Sequence, residues 1–257
     1  MKIMSFNLLC GGDNGRDWRC RKEMVLDTIR RADPDTLGAQ EAHYDWIQTL
    51  TAGLPDYDYV GVGREDGKTD GEFSAVFYKK DRFRLLDSGS FWLSETPEVP
   101  GVKGWDAACV RICSWAKLEE KATGKRFVHF NTHLDHVGPV AMQKGAELVT
   151  AKAAEICPDL PAFFTGDFNV TPASAPYKTV IAAGFTDARH AAKVSDDSVT
   201  FHMDVFVNDP PKPQNAVIDY CFFKGDVTVD TFRVITDVYP GGLYPSDHFP
   251  VLAEVDF

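Results

Sequence analysis

Short apolar runs rich in β-branched and aromatic residues recur along the chain, separated by Gly, Asp, Asn and Pro. Runs of this length and composition predict β-strands. Ten strands are predicted, at Lys2–Leu8, Thr36–Ala39, Phe73–Lys79, Phe83–Leu93, Cys109–Leu118, Arg126–Thr132, Ala162–Thr165, Ile218–Phe223, Val227–Val234 and Val251–Val255.

Apolar residues three and four positions apart indicate amphipathic helices. In the first helical stretch, Met24, Leu26, Ile29 and Ala32 are predicted to face inward, and Asp33-Pro34 to end the helix. Three helices are predicted, at Trp18–Ala32, His43–Leu54 and Gly138–Ile156.

Neither a Pro/Gly/Ser-rich linker nor an internal repeat divides the chain. Many strands with few helices predict an α/β protein in which two packed sheets carry helices on their outer faces. Layered proteins of 257 residues are commonly one domain, so we expect a single domain over residues 1–257.

The composition is that of a globular protein with an acidic balance. Hydrophobic residues make up 44% and charged residues 25%, which excludes a disordered, collagen-like or coiled-coil chain. Lys and Arg total 27 against 38 Asp and Glu, for a formal net charge of −11. This balance argues against a broad basic face that grips nucleic acid, although an enzyme that contacts a few phosphates remains compatible with it.

The sequence contains no apolar run of about 18 residues and no signal-peptide pattern at its start. We therefore expect no membrane span and a cytoplasmic protein, with secretion as the alternative if a signal has been removed. Six cysteines without a C-x-x-C pair indicate free thiols in a reducing compartment.

Polar groups follow the apolar run at six strand ends. A single polar residue there is ordinarily a turn residue. Six ends rich in Asn, Asp, Glu and His instead predict one face that collects oxygen ligands and proton-transfer groups. These ends carry Asn7, Gln40-Glu41, Asn131-Thr132-His133, Thr165-Gly166-Asp167-Phe168-Asn169, Asp219 and Ser246-Asp247-His248.

Metal-assisted phosphoester hydrolysis is the chemistry that this set favours. Hard oxygen donors suit Mg²⁺ or Mn²⁺, which keep coordination positions open for phosphate. No Cys/His cluster has the spacing of a zinc site, so the histidines are expected to transfer protons or contact phosphate. The candidate oxygen donors are Asn7, Glu41, Asp167, Asn169 and Asp247.

Five blocks, in order between residues 5 and 252, resemble the endonuclease/exonuclease/phosphatase superfamily, and within it the deadenylase-like branch and its bacterial relatives. The resemblance implies the DNase I-like fold, a four-layer sandwich of two mixed, mostly antiparallel sheets flanked by helices. The blocks are Gln40-Glu41, Asn131-Thr132-His133-Leu134-Asp135-His136, Gly166-Asp167-Phe168-Asn169, Ile218-Asp219-Tyr220 and Ser246-Asp247-His248-Phe249-Pro250.

The resemblance also implies a metal site, with Glu41 as the principal ligand assisted by Asn7 and Asp247. The alternatives are that Glu41 is an acid that favours the dipole of the following helix and that Asn7 is a loop cap, and the neighbouring motifs disfavour both.

For the phosphate, the resemblance implies that His133 contacts the scissile group, that Glu72 pairs with this histidine and that Arg111 positions the substrate. A turn acid is the alternative interpretation of Glu72. For Arg111 the alternative is a cation on the surface of a strand.

The remaining implied roles concern the attacking water and the developing charge. Asp167 and Asn169 would align and deprotonate the water and hold a phosphoryl oxygen. Asp219 would fix the tautomer of His248, which would donate to a phosphoryl oxygen. A turn acid and a core histidine are the alternatives for Asp219 and His248.

Several features stay open. Asp135 and His136 either line the substrate pocket or cap the following helix, and the stretch Thr200-Phe201-His202 either lies near the substrate or has no role in the site. Each of Trp92, Trp105 and Trp115 either stacks a base or packs in the core or an interface. The polar segments Asp66–Gly71 and Ser195–Pro213 are interpreted as solvated loops, with a substrate-facing rim as the alternative.

Together these observations predict an enzyme, a divalent-metal-dependent phosphoesterase that hydrolyses a phosphodiester or phosphomonoester by in-line attack of an activated water. Its substrate is expected to be a small phosphorylated molecule or a nucleic acid, and the net charge slightly favours the former. No obligate protein partner is expected. The alternatives are a nuclease acting on RNA or DNA and a catalytically silent module that binds a phosphorylated ligand.

Overall fold

The computed structural model describes residues 1–11, 17–206 and 216–257. The strands in these ranges are β1 Lys2–Asn7, β2 Thr36–Ala42, β3 Tyr57–Val60, β4 Phe73–Lys79, β5 Phe83–Trp92, β6 Ile112–Glu120, β7 Arg126–His133, β8 Ala162–Asp167, β9 Thr186–Asp187, β10 Val194–Ser195, β11 Asp219–Lys224, β12 Thr228–Val234 and β13 Val251–Asp256. The helices are α1 Lys22–Ala32, α2 Tyr44–Gly53, α3 Pro139–Ile156, α4 Ala175–Ala182 and α5 Ala188–Ala191.

Two mixed sheets organise these strands. One has the order β10-β12-β13-β1-β2-β4-β3 and the other β5-β6-β7-β8-β11-β9. Each sheet contains a parallel pair joined by a helix, β1 and β2 through α1, and β7 and β8 through α3. Most other pairings are antiparallel, so the predicted architecture is confirmed.

The helices cover the outer faces and the sheets pack against each other, which gives four layers. Between the sheets, Ile3 and Val76 of one meet Phe127 and Phe163 of the other. The outer face of the first sheet packs against α1 and α2, through residues such as Trp46. The outer face of the second packs against α3 and α4. Burial of these side chains contributes about 1.5–3 kcal/mol for each large one.

A polar seam interrupts the apolar contact between the sheets. Asn131 of β7 donates from its side-chain amide to the carbonyl oxygen of Ala39 at 3.0 Å, and its own oxygen accepts from Gln40 at 2.6 Å. Gly38 lies at the closest approach, where an added Cβ would be 2.1 Å from Thr165 Oγ1 and 2.4 Å from Asn131 Oδ1. The seam therefore fixes the separation and relative position of the two sheets.

The prediction of one helix over Trp18–Ala32 is wrong. A 3-10 turn over Trp18–Arg21 precedes α1, which begins at Lys22. Within α1 the buried face includes Val25, whereas the predicted Met24 is half-buried. The other three residues predicted to face inward, Leu26, Ile29 and Ala32, are buried.

Several short elements were not predicted, namely β3, β9, β10, α4 and α5. The predicted loop Asp66–Gly71 is an ordered turn, in which the Asp66 carboxylate accepts from the N–H groups of Lys68 and Asp70. The predicted loop Ser195–Pro213 lies partly outside the described residues, from 207 onward. All six cysteines are free, as expected. Among the described helices, none combines the length and apolarity that a bilayer crossing requires.

Candidate active site

The ends of both parallel strand pairs meet at one edge of the sandwich. Asn7 at the end of β1 is paired with Gln40 of β2, and His133 at the end of β7 is paired with Asp167 of β8. Asp219 begins β11 opposite Asp167. The edge opens into a cleft of about 340 Å³. The cleft is lined by Cys10, Glu41, Arg64, Glu72, Cys109, Arg111, His133, His136, Asp167, Asn169, Phe201, Asp247 and His248.

Two residues of the cleft have a left-handed backbone. Glu41 has a φ of 56° and Asn169 a φ of 53°. The pairing of β2 with β4 is irregular between Ala39 and Ala42, so Glu41 lies in a bulge. Such conformations are costly for residues other than glycine and cluster at functional sites, where a bulge redirects a side chain.

The acidic side of the cleft contains Glu41, Asp167 and Asp247. The Asn7 amide donates to Glu41 at 3.0 Å and to Asp167 at 2.9 Å, and the Cys10 N–H donates to Glu41 at 2.9 Å. Burial acts to raise the pKa of Glu41, but these hydrogen bonds bring it below its usual value. Glu41 is therefore an anion at neutral pH.

The donor set fits a hard divalent cation. Burial, and then the Glu41 carboxylate, raises the pKa of Asp247 despite the opposing effect of His248. A cation bound between Glu41 and Asp247 would attract both carboxylates and so offset their mutual repulsion. Glu41, His133 and Asp167 also bring one ligand atom each to within 4.8 Å of one another. Carboxylate oxygens of this kind are the ligands that Mg²⁺ and Mn²⁺ prefer.

His248 lies between two carboxylates. Its Nδ1 donates to Asp219 Oδ2 at 2.9 Å, and its Nε2 lies 3.6 Å from Asp167 Oδ2. Burial alone would lower the pKa of His248, but Asp219 and Asp167 raise it well above its usual value. The ring is thus a cation whose Nε2–H points towards Asp167 and the cleft.

Asp167 and Asn169 form a compact turn after β8. The Asn169 N–H donates to Asp167 Oδ1 at 2.9 Å. Burial, and to a smaller extent Asp219, raises the pKa of Asp167 to about 7, although His248 and hydrogen bonds oppose this. Burial and the charge of Arg111 hold the pKa of His133 well below its usual value. Because His133 is neutral, its Nε2 accepts from the Asn169 amide at 2.9 Å.

The opposite wall of the cleft is basic. Glu72 Oε2 lies 2.6 Å from Arg64 Nη1, 3.9 Å from Arg111 Nη1 and 3.9 Å from His133 Nδ1. Arg111 Nη2 donates to His136 Nδ1 at 3.1 Å. We call Arg64, Glu72 and Arg111 the basic wall.

Most residues singled out in the sequence meet at the cleft. Asn7 and Asp219 lie directly behind it and hydrogen-bond to residues in it. The side chain of His202 is not among the lining groups, since its ring stacks on Phe249 at 3.9 Å. The lining residues that the sequence had indicated are Glu41, Glu72, Arg111, His133, His136, Asp167, Asn169, Asp247 and His248.

Two of the open alternatives are decided by contacts. Asp135, not His136, accepts from the Gly138 N–H at the start of α3, while His136 lines the cleft. Trp92 is buried and donates from its indole N–H to the Arg64 carbonyl oxygen at 2.6 Å. It therefore packs beside the cleft and does not line it.

Three lining residues had not been singled out as candidates, namely Cys10, Arg64 and Cys109. Phe201 also lines the cleft, and it belongs to the stretch for which a place near the substrate was one alternative. Arg64 lies four residues after β3, a short strand that the sequence pattern did not predict. A polar residue following Tyr57–Val60 was the available signal.

Comparison with known proteins decides the family. The profile of the Endonuclease/Exonuclease/phosphatase family matches residues 4–248. The chain belongs to this family. Members of the endonuclease/exonuclease/phosphatase family hydrolyse phosphoester bonds, so the predicted enzyme class is confirmed at that level.

Solved structures of the family resemble the chain over its whole length. The endonuclease/exonuclease/phosphatase from Bacteroides vulgatus is 42% identical with a TM-score of 0.91, and the match covers 99% of this chain and 98% of that one. The mannosyl-6-phosphatase Bt3783 of Bacteroides thetaiotaomicron is 37% identical with a TM-score of 0.92 and full coverage of both chains.

Curated relatives in the family are more distant. The CCR4-Not complex 3'-5'-exoribonuclease subunit Ccr4 of Emericella nidulans is 25% identical, and the match covers 99% of this chain and 51% of the relative. The chain spans about half the length of the curated Ccr4 relatives it matches.

Proposed function

We propose that the protein is a divalent-metal-dependent phosphoesterase that acts on a small phosphorylated molecule. The carrying observation is the division of one cleft into an acidic side with Glu41, Asp167 and Asp247 and a basic wall with Arg64 and Arg111. Such a division suits a phosphoryl group held between a metal ion and guanidinium groups.

The acidic side provides the proposed metal site. Glu41 and Asp247 would hold Mg²⁺ or Mn²⁺, assisted by Asn7, whose amide orients the Glu41 carboxylate at 3.0 Å. The ion would supply positive charge to the phosphoryl oxygens.

The remaining residues handle the water and the developing charge. Asp167, whose pKa is raised to about 7, accepts a proton from the attacking water near neutral pH. Asn169 aligns that water and holds a phosphoryl oxygen. His248, kept cationic by Asp219, donates to a phosphoryl oxygen as negative charge accumulates on it.

A small substrate is favoured by the charge and by one structural relative. A net charge of −11 opposes long-range attraction of a polyanion. The relative at 37% identity over its full length is named a mannosyl-6-phosphatase. We therefore propose that the substrate of this protein is a sugar phosphate.

A nuclease is the second candidate, and the curated Ccr4 relatives favour it, since they are named as 3'-5'-exoribonuclease subunits. That match covers about half of the relative, and its identity of 25% is lower than that of the phosphatase. For this chain, nuclease activity and membership of a protein complex are therefore less well supported than phosphatase activity.

An activity panel tests the proposal. Purified protein with Mg²⁺ or Mn²⁺ is assayed on hexose 6-phosphates, p-nitrophenyl phosphate, bis(p-nitrophenyl) phosphate, and single-stranded RNA and DNA. We expect the highest kcat/KM on a small phosphoester, with activity lost in EDTA. Because Asp167 is the proposed base, Asp167→Asn is expected to lower kcat by about 10²–10⁴-fold.

Asp256→Asn is the matched control, since Asp256 is an exposed acid at the end of β13. It is expected to leave kcat unchanged. Faster turnover of RNA or DNA would select the nuclease. Absence of turnover on the whole panel, with phosphate still bound, would select the silent binding module.

A further inference from the structure

The segment between β3 and β4 holds Arg64 in a fixed position. Gly63 N donates to the Lys68 carbonyl at 3.0 Å, and Arg64 N donates to the Glu72 carbonyl at 3.1 Å. On the other side, the Trp92 indole donates to the Arg64 carbonyl at 2.6 Å. With its backbone bonded on both sides, Arg64 presents its guanidinium to the cleft at a small entropic cost.

Carboxylates lie near both guanidiniums of the basic wall, and Arg64 Nε is 3.5 Å from Glu65 Oε1. Glu72 Oε2 is close to Arg64 Nη1 at 2.6 Å and more distant from Arg111 Nη1 at 3.9 Å. Arg111 also lies near Asp135, with Nε 3.7 Å from Oδ1, but Asp135 already accepts four backbone N–H groups. These acids offset the positive charge of the wall, so its capacity for an anion rests on guanidinium donors that lack an acceptor.

Several guanidinium N–H groups of the wall have no hydrogen-bond acceptor among the described residues. They are Nε and Nη1 of Arg111, whose side chain is 6% exposed, and Nε of Arg64. Buried donors without an acceptor are costly, and the oxygens of an anion can satisfy them through charge-assisted hydrogen bonds. These donors belong to residues that line the same cleft as the acids.

The geometry points to Arg64 and Arg111 as a receptor for the terminal oxygens of a phosphomonoester, with Arg64 as a specificity-determining residue. A monoester carries a charge of about −1.5 to −2 at pH 7 and three terminal oxygens. A diester has one charge and places an uncharged, substituted oxygen against the wall. This inference rests on the proposed phosphoesterase function and names the substrate class within it.

The test compares a monoester with a diester on the same protein. With Mg²⁺, kcat/KM is measured for p-nitrophenyl phosphate and bis(p-nitrophenyl) phosphate in wild type and Arg64→Gln. We expect the monoester value to fall by about 10- to 100-fold, as for loss of a charge-assisted hydrogen bond, and the diester value to change by less than about threefold.

Lys68→Gln is the matched control, because it removes one positive charge from the same loop at an exposed position. We expect Lys68→Gln to have the wild-type kcat/KM for both the monoester and the diester. Arg64→Lys keeps the charge but not the planar fork, so an intermediate preference is expected, and it replaces Arg64→Gln if that variant does not fold. An unchanged ratio of the two kcat/KM values in the Arg64 variants would overturn the inference.

A binding measurement separates this inference from the function on which it rests. Calorimetric titration with inorganic phosphate in the presence of Mg²⁺ requires no turnover. If the wild type hydrolyses no phosphoester but phosphate binding weakens about tenfold or more in Arg64→Gln and not in Lys68→Gln, the proposed function fails and the anion receptor stands. Equal phosphate affinity in all three proteins counts against the receptor alone.

Discussion

At the scale of the residue, buried histidines of the same fold differ in charge. His248 contacts two carboxylates, which raise its pKa well above the usual value although burial opposes them. His129 of β7 has no acid beside it, and burial lowers its pKa to about 3. Its Nε2 is 2.8 Å from Thr165 Oγ1, within the polar seam. One ring therefore serves as a cation at the cleft and the other as a neutral hydrogen-bonding group.

The neutral His129 predicts acid sensitivity of the folded protein. The folded chain keeps His129 neutral down to about pH 3, whereas the unfolded chain protonates it below its usual pKa of 6.5. Its contribution is thus complete above pH 6.5 and is lost at about 1.4 kcal/mol per pH unit below it. Urea unfolding at pH 7.5 and pH 5.0 should show His129→Gln gaining about 2 kcal/mol relative to wild type at the lower pH.

His190→Gln is the control for this measurement, since the His190 side chain is 65% exposed. It is expected to follow the wild-type dependence on pH. Equal losses of unfolding free energy in wild type and His129→Gln between the two pH values would contradict the assignment.

At the scale of the element, the start of α3 depends on one carboxylate. Asp135 accepts from the N–H groups of Gly138 at 2.7 Å, Val137 at 3.1 Å, Ala108 at 3.1 Å and Cys109 at 3.2 Å. Burial acts to raise the pKa of Asp135, but these hydrogen bonds lower it to about 2. The helix is thereby anchored to the segment that leads into β6.

We expect Asp135→Asn to lower the free energy of unfolding by about 2 kcal/mol at pH 7, because an amide offers one acceptor atom where the carboxylate offers two. Because the pKa of Asp135 is lowered, this stabilisation is present above pH 3.8 and is lost as the pH falls towards 2. The measurement is urea unfolding at pH 7.

Asp159→Asn is the control, since Asp159 is exposed after α3, and it should unfold as wild type does. An unfolding midpoint of Asp135→Asn equal to that of wild type would refute the anchoring role.

Elements with a clear period were predictable, and those set by distant contacts were not. The central strands and α3 follow from apolar runs and helical spacing. The helix predicted over Trp18–Ala32 is interrupted near Arg21, whose buried guanidinium donates to the carbonyls of Leu8 and Pro245, both at 2.7 Å. The second partner is 224 residues away in sequence, so local periodicity carries no sign of it.

In the site, too, some residues were predictable from the local sequence and others were not. Acids and histidines at strand ends could be singled out because each follows an apolar run. Arg64 lies in a loop and could not, and Phe201 was indicated only as part of a loop with two alternative interpretations. Arg64 is held through the Trp92 indole, and Phe201 through pairing with Ala216 and His248. Their positions depend on contacts between segments distant in sequence.

At the scale of the whole molecule, the cleft depends on the registration of two sheets. Asn7 and Glu41 come from one sheet, and His133, Asp167 and Asp219 from the other. The polar seam lies behind these ends and sets the separation between them. A change in the seam should therefore affect stability and activity together.

Gly38→Ala tests this dependence. The added Cβ would lie 2.1 Å from Thr165 Oγ1 and 2.4 Å from Asn131 Oδ1, so the sheets must separate. We expect a loss of about 1–3 kcal/mol in the free energy of unfolding and a lower kcat on the preferred phosphoester. Gly11→Ala, where nothing lies within 4 Å of the new Cβ, should unfold as wild type does. A Gly38→Ala variant with wild-type stability and kcat would show that the seam does not set the cleft.

The pairing of β1 with β13 has a consequence for attachment. Lys2 lies opposite Glu254, and the Met1 amine donates to the Val255 carbonyl at 2.7 Å. Residues 1 and 257 are thus neighbours at the end of the β1–β13 pair that lies away from the cleft. The run from Lys2 to Asn7 separates them from the cleft by five steps of ~3.3 Å, about 17 Å. A fused domain or surface tether at either end would leave the mouth of the cleft open, so the molecule can be immobilised or joined in tandem without obstructing substrate entry.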